Sequence, residues 1–186
     1  DAPEAGGWEP GVESAAERWV GEWATATKSR ATIEGVAAWI DSLKGRVNPF
    51  YGRDPRRALP IAYPGGIASL TRAGGGSFAT GEATSWSVDT GRSVLTLNGL
   101  PAGFVVSIGD QISFAWSTSK RFLVKALEGA TANGSGVAAF TVTPALPGWL
   151  SGSAVARVKD PDCLMILDPA SVQIDDSNFG KTGAIS

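Results

Sequence analysis

The side chains that most often move protons near neutral pH are missing, because the chain has no histidine and a single cysteine, Cys163. That removes the usual general base of a serine triad, the commonest zinc ligand, and any cluster of thiolates for zinc or iron–sulfur chemistry. Carboxylates remain. Asp110, Glu128, Asp160, Asp162 and Asp168 invite comparison with the acid pair of a glycosidase. Gly109-Asp110 opens a strand pattern, however, and Asp160-Pro161-Asp162 and Asp168-Pro169 stand at strand ends, where aspartate forms turns. Asp175-Asp176 would point apart on an extended chain and lacks the further oxygens of a calcium loop. Gly74-Gly75-Gly76 is followed by neither Gly-Lys-Ser/Thr nor a helix, so it is no phosphate loop. Asn133-Gly134-Ser135 matches a glycosylation acceptor in form and is equally a good turn. No catalytic residue, no cofactor site and no metal site is expected, and the chain reads as a non-enzyme.

Binding chemistry has more material. Arg46, Arg53, Arg56 and Arg57 fall with Lys28, Arg30 and Lys44 inside thirty positions, whereas acidic residues dominate both ends of the chain. This asymmetry suggests subunit contacts through the arginines. A nucleic-acid surface would want interleaved aromatics, which are missing there apart from Phe50 and Tyr51. Tryptophans on a β-module could stack on sugar rings. Trp116 alternates with core-type residues, which leaves Trp86 and above all Trp149, in Pro147-Gly148-Trp149-Leu150, as candidate glycan contacts.

The elements that must position these residues are mostly strands. The 186 residues are 43% hydrophobic and 18% charged, too apolar for a disordered chain and too evenly interrupted for a membrane span, so no membrane insertion is expected. With 24 Gly, 11 Pro, seven Trp and seven Phe, short strands joined by tight turns suit the composition better than a helical bundle. Arg18 to Thr27 has a two-residue rhythm and reads as a strand. Ile33, Val36, Ala37, Ile40 and Leu43 line one helical face, with Thr32 as N-cap, Glu34 in the first turn, and Lys44 and Gly45 at the stop. Arg46 to Tyr51 reads as an edge strand.

A proline- and arginine-rich connection then leads to a boundary near Pro64-Gly65-Gly66. Beyond it the turn spacing predicts strands over Thr84 to Val88, Ser93 to Leu97, Gln111 to Ser117, Arg121 to Leu127, Val137 to Thr143 and Ser153 to Val158. Ile112, Phe114 and Trp116 are expected inward, with Gln111, Ser113, Ala115 and Ser117 outward. Asn98-Gly99 and Asn133-Gly134 supply residues that tolerate positive φ. The apolar run from Cys163 to Leu167 reads as a strand buried on both faces, with its thiol as a small core group, and its natural place is beside the first strand and the helix. The layout is therefore an N-terminal arm over 1–17, a discontinuous domain of 18–63 plus 159–176, an inserted β-barrel module over 64–158, and a tail over 177–186.

The order of these features resembles that of the siphophage distal tail proteins. The resemblance is carried by Ile33-Glu34-Gly35-Val36-Ala37-Ala38-Trp39-Ile40-Asp41-Ser42-Leu43-Lys44-Gly45-Arg46-Val47-Asn48-Pro49-Phe50-Tyr51, followed by Asp54-Pro55. It continues through Leu97-Asn98-Gly99-Leu100, Ile108-Gly109-Asp110-Gln111-Ile112, Gly136 to Leu146 and Leu164-Met165-Ile166-Leu167. It implies a mainly β fold with one α-helix: a tail-tube-like β-sandwich or split barrel carrying an inserted β-barrel of oligonucleotide/oligosaccharide-binding (OB-like) type. It further implies a structural virion protein, assembled in the host cytoplasm into a ring, commonly a hexamer, at the tail tip. The partners implied are further copies of the chain, the tail tube protein and the tip or hub proteins, with DNA passing through the channel without specific binding. The alternative from the residues is a glycan-binding host-recognition module, or another minor tail or hub protein.

Overall fold

The computed structural model describes residues 19–22, 25–28, 30–117, 120–172 and 183–185. The arm over 1–17, Asp175-Asp176 and most of the 177–186 tail therefore lie outside the described residues. The fold is mainly β, with a single α-helix, α1 (Arg30–Ser42), and antiparallel pairing throughout. Its centre is a six-stranded sheet of β3 (Ser85–Val88), β4 (Val94–Asn98), β6 (Gln111–Ser117), β7 (Lys120–Ala126), β9 (Ala138–Thr143) and β10 (Val155–Arg157), in the order β10-β6-β7-β9-β4-β3. Two-residue strands β5 (Val105–Val106) and β8 (Ala130–Thr131) form a small separate pair.

Alternation builds the core. Leu95 and Leu97 of β4, Ile112 and Phe114 of β6, Val124 of β7 and Phe140 of β9 are all fully buried on one side of the sheet. Ile67, Phe78, Leu100 and Phe104 close that side from the connecting loops. The sheet curls until its two edges approach: Glu82, just before β3, bridges Arg157 of β10, and Ala83 N–H donates to Ala156 O while Val158 N–H donates to Gly81 O. Among the described residues no continuous ladder runs around a closed barrel, so of the barrel or sandwich that the turn spacing suggests, the closed barrel expected over 64–158 is not found.

The chain enters and leaves this sheet through one ladder. Strand β2 (Phe50–Gly52) pairs with β11 (Cys163–Met165) in the register Phe50↔Met165, Tyr51↔Leu164 and Gly52↔Cys163. An ion pair stands at each end, Arg46–Asp168 at 2.7 Å and Arg53–Asp160 at 3.1 Å. A second ribbon joins β1 (Thr25–Lys28) to β12 (Gly183–Ile185).

Several expectations need correction. Of the strand expected over Arg18 to Thr27, residues 19–22 are not strand and β1 covers Thr25–Lys28; Trp19 is committed elsewhere, its indole N–H donating to the Leu123 carbonyl at 2.7 Å. Thr32 is not an N-cap, since α1 begins at Arg30, and neither Glu34 in the first turn nor a basic residue in the last helps the helix dipole. Gly45 is left-handed as expected, but Lys44, expected in the last turn, lies beyond the end of α1 at Ser42 and is left-handed too. Arg46 to Asn48 form a turn and not a strand, and β2 starts only at Phe50. Double burial of the last run fails beyond Cys163, because Leu164 and Ile166 are exposed.

Ser113 faces outward as expected but does not reach solvent. It lies on the face opposite the core, as alternation requires, yet it is only 1% exposed. Leu123 stands directly across from it and is buried too. A second layer covers that face: Trp19 packs along β7, with Lys125 Nζ 5.9 Å from its ring centroid, and Arg121 is held between the Tyr51 ring, 5.0 Å away, and Asp162, 3.4 Å away. Cys163 belongs to this layer. Burial, then the neighbouring Asp162 charge, push its thiol up to about 11, so it is a core group and a poor nucleophile.

Candidate functional site

The four arginines singled out from the sequence all lie along the entry and exit of the central sheet, and each has a partner in its own chain. Arg46 and Arg53 form the flanking pairs of the β2–β11 ladder. Arg56 bonds back to Asp54, whose carboxylate also accepts the Arg56 N–H and so caps the short 3₁₀ turn Pro55–Arg57. Arg57 donates to the Gly109 carbonyl at 2.7 Å. The guanidinium bonds hold the Asp54 and Asp168 carboxyls below the usual carboxylate range. Exposed pairs of this kind contribute roughly 0–1 kcal/mol each, so their effect lies in register more than in stability. Arg56 remains 89% exposed and still offers its charge to another surface.

The carboxylates are likewise structural. Glu128 accepts from the Thr141 N–H and hydroxyl, Asp160 from Arg53, and Asp162 pairs with Arg121. Asp110 departs most from the turn-edge reading, being only 4% exposed. Its two oxygens accept the backbone N–H of Ile61 and of Ser107, both at 2.8 Å, which fastens the arginine-rich connection onto the start of β6. Nothing in the sequence marks this Asp as different from the other turn aspartates except its place at the head of a strongly alternating strand. Among the described residues no group of three acidic or thiol side chains could hold a metal ion, and no helix is long and apolar enough to cross a membrane.

Asp110 gives a testable consequence. Asp110→Ala leaves two partly buried N–H groups without acceptors and should cost about 2–3 kcal/mol in urea unfolding. Burial raises this carboxyl above 3.8, against the two N–H bonds and the Arg57 charge. A carboxyl that holds its proton more tightly when folded favours the native state at low pH, and that contribution is lost as pH rises from 3.8 through the raised value. The stability gap between the parent and Asp110→Asn should therefore narrow as pH rises through that window. A gap that widens would contradict the assignment.

The tryptophans separate cleanly. Trp86 is 8% exposed, its ring lies edge-on to Phe114 at 4.8 Å, and its indole N–H donates to the Ala154 carbonyl, so it is a core residue and cannot stack on a glycan. Trp149 is 62% exposed. Its ring packs 5.1 Å from Trp116 and 5.9 Å from Phe122, where β6 ends and β7 begins. Its loop is held by a residue the sequence did not single out, Arg92. That guanidinium donates to the carbonyls of Leu146, Pro147 and Leu150, on both sides of Trp149.

Comparison with family profiles, with curated proteins and with solved structures gives no match.

Proposed function

We propose that the chain is a structural subunit of a phage tail tip that works by assembling into a ring. The observation that carries this reading is the β2–β11 ladder, closed at both ends by ion pairs, through which the chain leaves at Arg53 and returns at Asp160. Residues 18–63 and 159–176 then act as one ring-forming unit, tail-tube-like in the finer reading. Residues 64–158 act as an inserted module whose curled sheet we read as an opened OB-like barrel.

The ring-forming unit is incomplete by itself. Two-stranded ribbons are marginal in water, and neither β2 nor β11 has a second partner strand among the described residues. Val47, Tyr51, Leu164 and Ile166 are exposed beside that open edge. Head-to-tail contact with neighbouring copies would complete the pairing and cover these side chains, and closure of that contact gives a ring. Arg46 and Arg53 hold the ends of that ladder in shape, and Arg56, 89% exposed just beyond it in the chain, offers its charge to the neighbour's acidic groups. In this role the protein joins the tail tube to the tip or hub proteins and leaves a channel for DNA, acting by geometry without a cofactor. Mass photometry and electron microscopy of the purified protein should show closed rings, six-membered by the resemblance. A strictly monomeric protein that is also missing from purified virions would remove this reading.

A further inference from the structure

An aromatic cluster of Trp116, Phe122 and Trp149 stands where β6 ends and β7 begins. Trp149 keeps 62% exposure while standing against Trp116 and Phe122, so part of its ring surface is open to solvent. Its position is also fixed with unusual care. Arg92 adopts a left-handed backbone, φ 58°, which side chains other than glycine rarely take. The same residue accepts the Leu146 N–H on its carbonyl and spans three carbonyls of the 146–150 loop with its guanidinium. Strain of this kind gathers where a loop must be held in one shape. An exposed, immobilised indole presents a flat apolar face that loses little conformational freedom on binding.

The surroundings select the ligand. Arg92, which holds the loop, is committed to carbonyls, and Arg121, next to Phe122 in the chain, is paired with Asp162, so Lys120 alone would give a phosphate backbone little hold. Beside the ring along the chain stand two exposed hydroxyls, Ser151 and Ser153, 2.8 Å apart. We propose that Trp149 is the stacking platform of a glycan site that takes a pyranose ring of a neutral polysaccharide. The sugar's C–H face would lie on the indole, with Ser151 and Ser153 at its hydroxyl rim. The site lies on the curled sheet and needs no second copy of the chain, so it stands whether or not the protein forms rings.

The test uses the full-length protein, titrated separately with maltohexaose, cellohexaose and chitohexaose while the indole N–H signals are followed by NMR. The Trp149 signal is identified by its loss in Trp149→Ala. At least one hexasaccharide should shift it with saturation at roughly millimolar concentration, and Trp149→Ala should weaken binding of that sugar about tenfold or more. Trp149→Phe, which keeps a ring, should retain part of the binding, and Arg92→Met should weaken it while the ring remains. The proposal is overturned if none of the three sugars moves the Trp149 signal at about 10 mM, if binding survives Trp149→Ala undiminished, or if only a thymidine oligonucleotide produces the shift. Because Trp149 is exposed, Trp149→Ala should fold as the parent does, and its melting curve checks this.

Discussion

Phe114→Ala should lower the stability of the protein by about 4–6 kcal/mol, the largest effect expected of any single truncation in the sheet. Phe114 is fully buried at the middle of β6, opposite Phe122 of β7 and Ala156 of β10, and its ring meets that of Trp86 edge-on. Removing a buried phenyl ring costs roughly 3–5 kcal/mol through lost transfer energy and the cavity left behind. An aromatic pair of this geometry adds about 0.5–1.5 kcal/mol. The site has little means of collapse, because Phe114 lies between a central strand and the Trp86 edge, where the sheet is joined by isolated bonds and not by a ladder. At about 2–4 °C per kcal/mol for a chain of this size, the melting temperature should fall by roughly 10–20 °C. Urea unfolding at fixed protein concentration measures the effect. Ile108→Ala, at an exposed turn position, should change stability by less than about 0.5 kcal/mol under the same conditions. A loss below about 2 kcal/mol for Phe114→Ala would mean that the curled sheet is not packed as described.

Phe114 also marks what was legible in the sequence. Strands β3, β4, β6, β7, β9 and β10 lie within a residue or two of the positions that alternation and turn chemistry predict, since each has one face against a common core. Strands β5 and β8 are two residues long and too short to show any period. The second layer over β6 and β7 had one visible signal, the unbroken Phe122-Leu123-Val124, because a strand apolar at consecutive positions is covered on both faces. Read that way, the run would have placed Ser113 under cover. The tryptophans were separable in the same manner. Trp86 sits between Ser85 and Ser87 in an alternating strand and must face inward, whereas Trp149 follows a Pro-Gly turn and has no strand to bury it. Charge was legible but pairing was not: the arginine cluster is obvious in composition, while Asp160 and Asp168, over a hundred positions away in sequence, become its partners only through the β2–β11 register. Arg92 could not have been found, since a lone arginine in a hairpin turn has no pattern.

Gly136→Ala is the second large effect, expected at about 3–5 kcal/mol. Sequence favours Asn133-Gly134 as the positive-φ turn, but the left-handed residue is Gly136, at φ 74°. Asn133 instead shapes the loop with its side chain, accepting the N–H groups of Ser135 and Val137. Gly136 N–H donates to the Asn133 carbonyl, and its own carbonyl accepts the Leu100 N–H. The Leu100 carbonyl in turn accepts the Ala73 N–H, so three distant segments of the chain are linked through the backbone of one residue, Leu100. A Cβ at Gly136 would stand 2.2 Å from that Leu100 oxygen and 3.0 Å from the Ala73 Cβ. The obstacle is main chain and cannot rotate away as a side chain could, so the loops must separate. Separation breaks the Ala73–Leu100 and Leu100–Gly136 bonds, each about 0.5–1.5 kcal/mol. Positive φ in a residue with a Cβ adds about 1–3 kcal/mol. Gly134→Ala, with no positive φ and nothing within 4 Å of where its methyl group would stand, should be tolerated and serves as the paired control. Equal losses from the two substitutions would show that general loop stiffness, and not the Leu100 crossing, makes glycine necessary here.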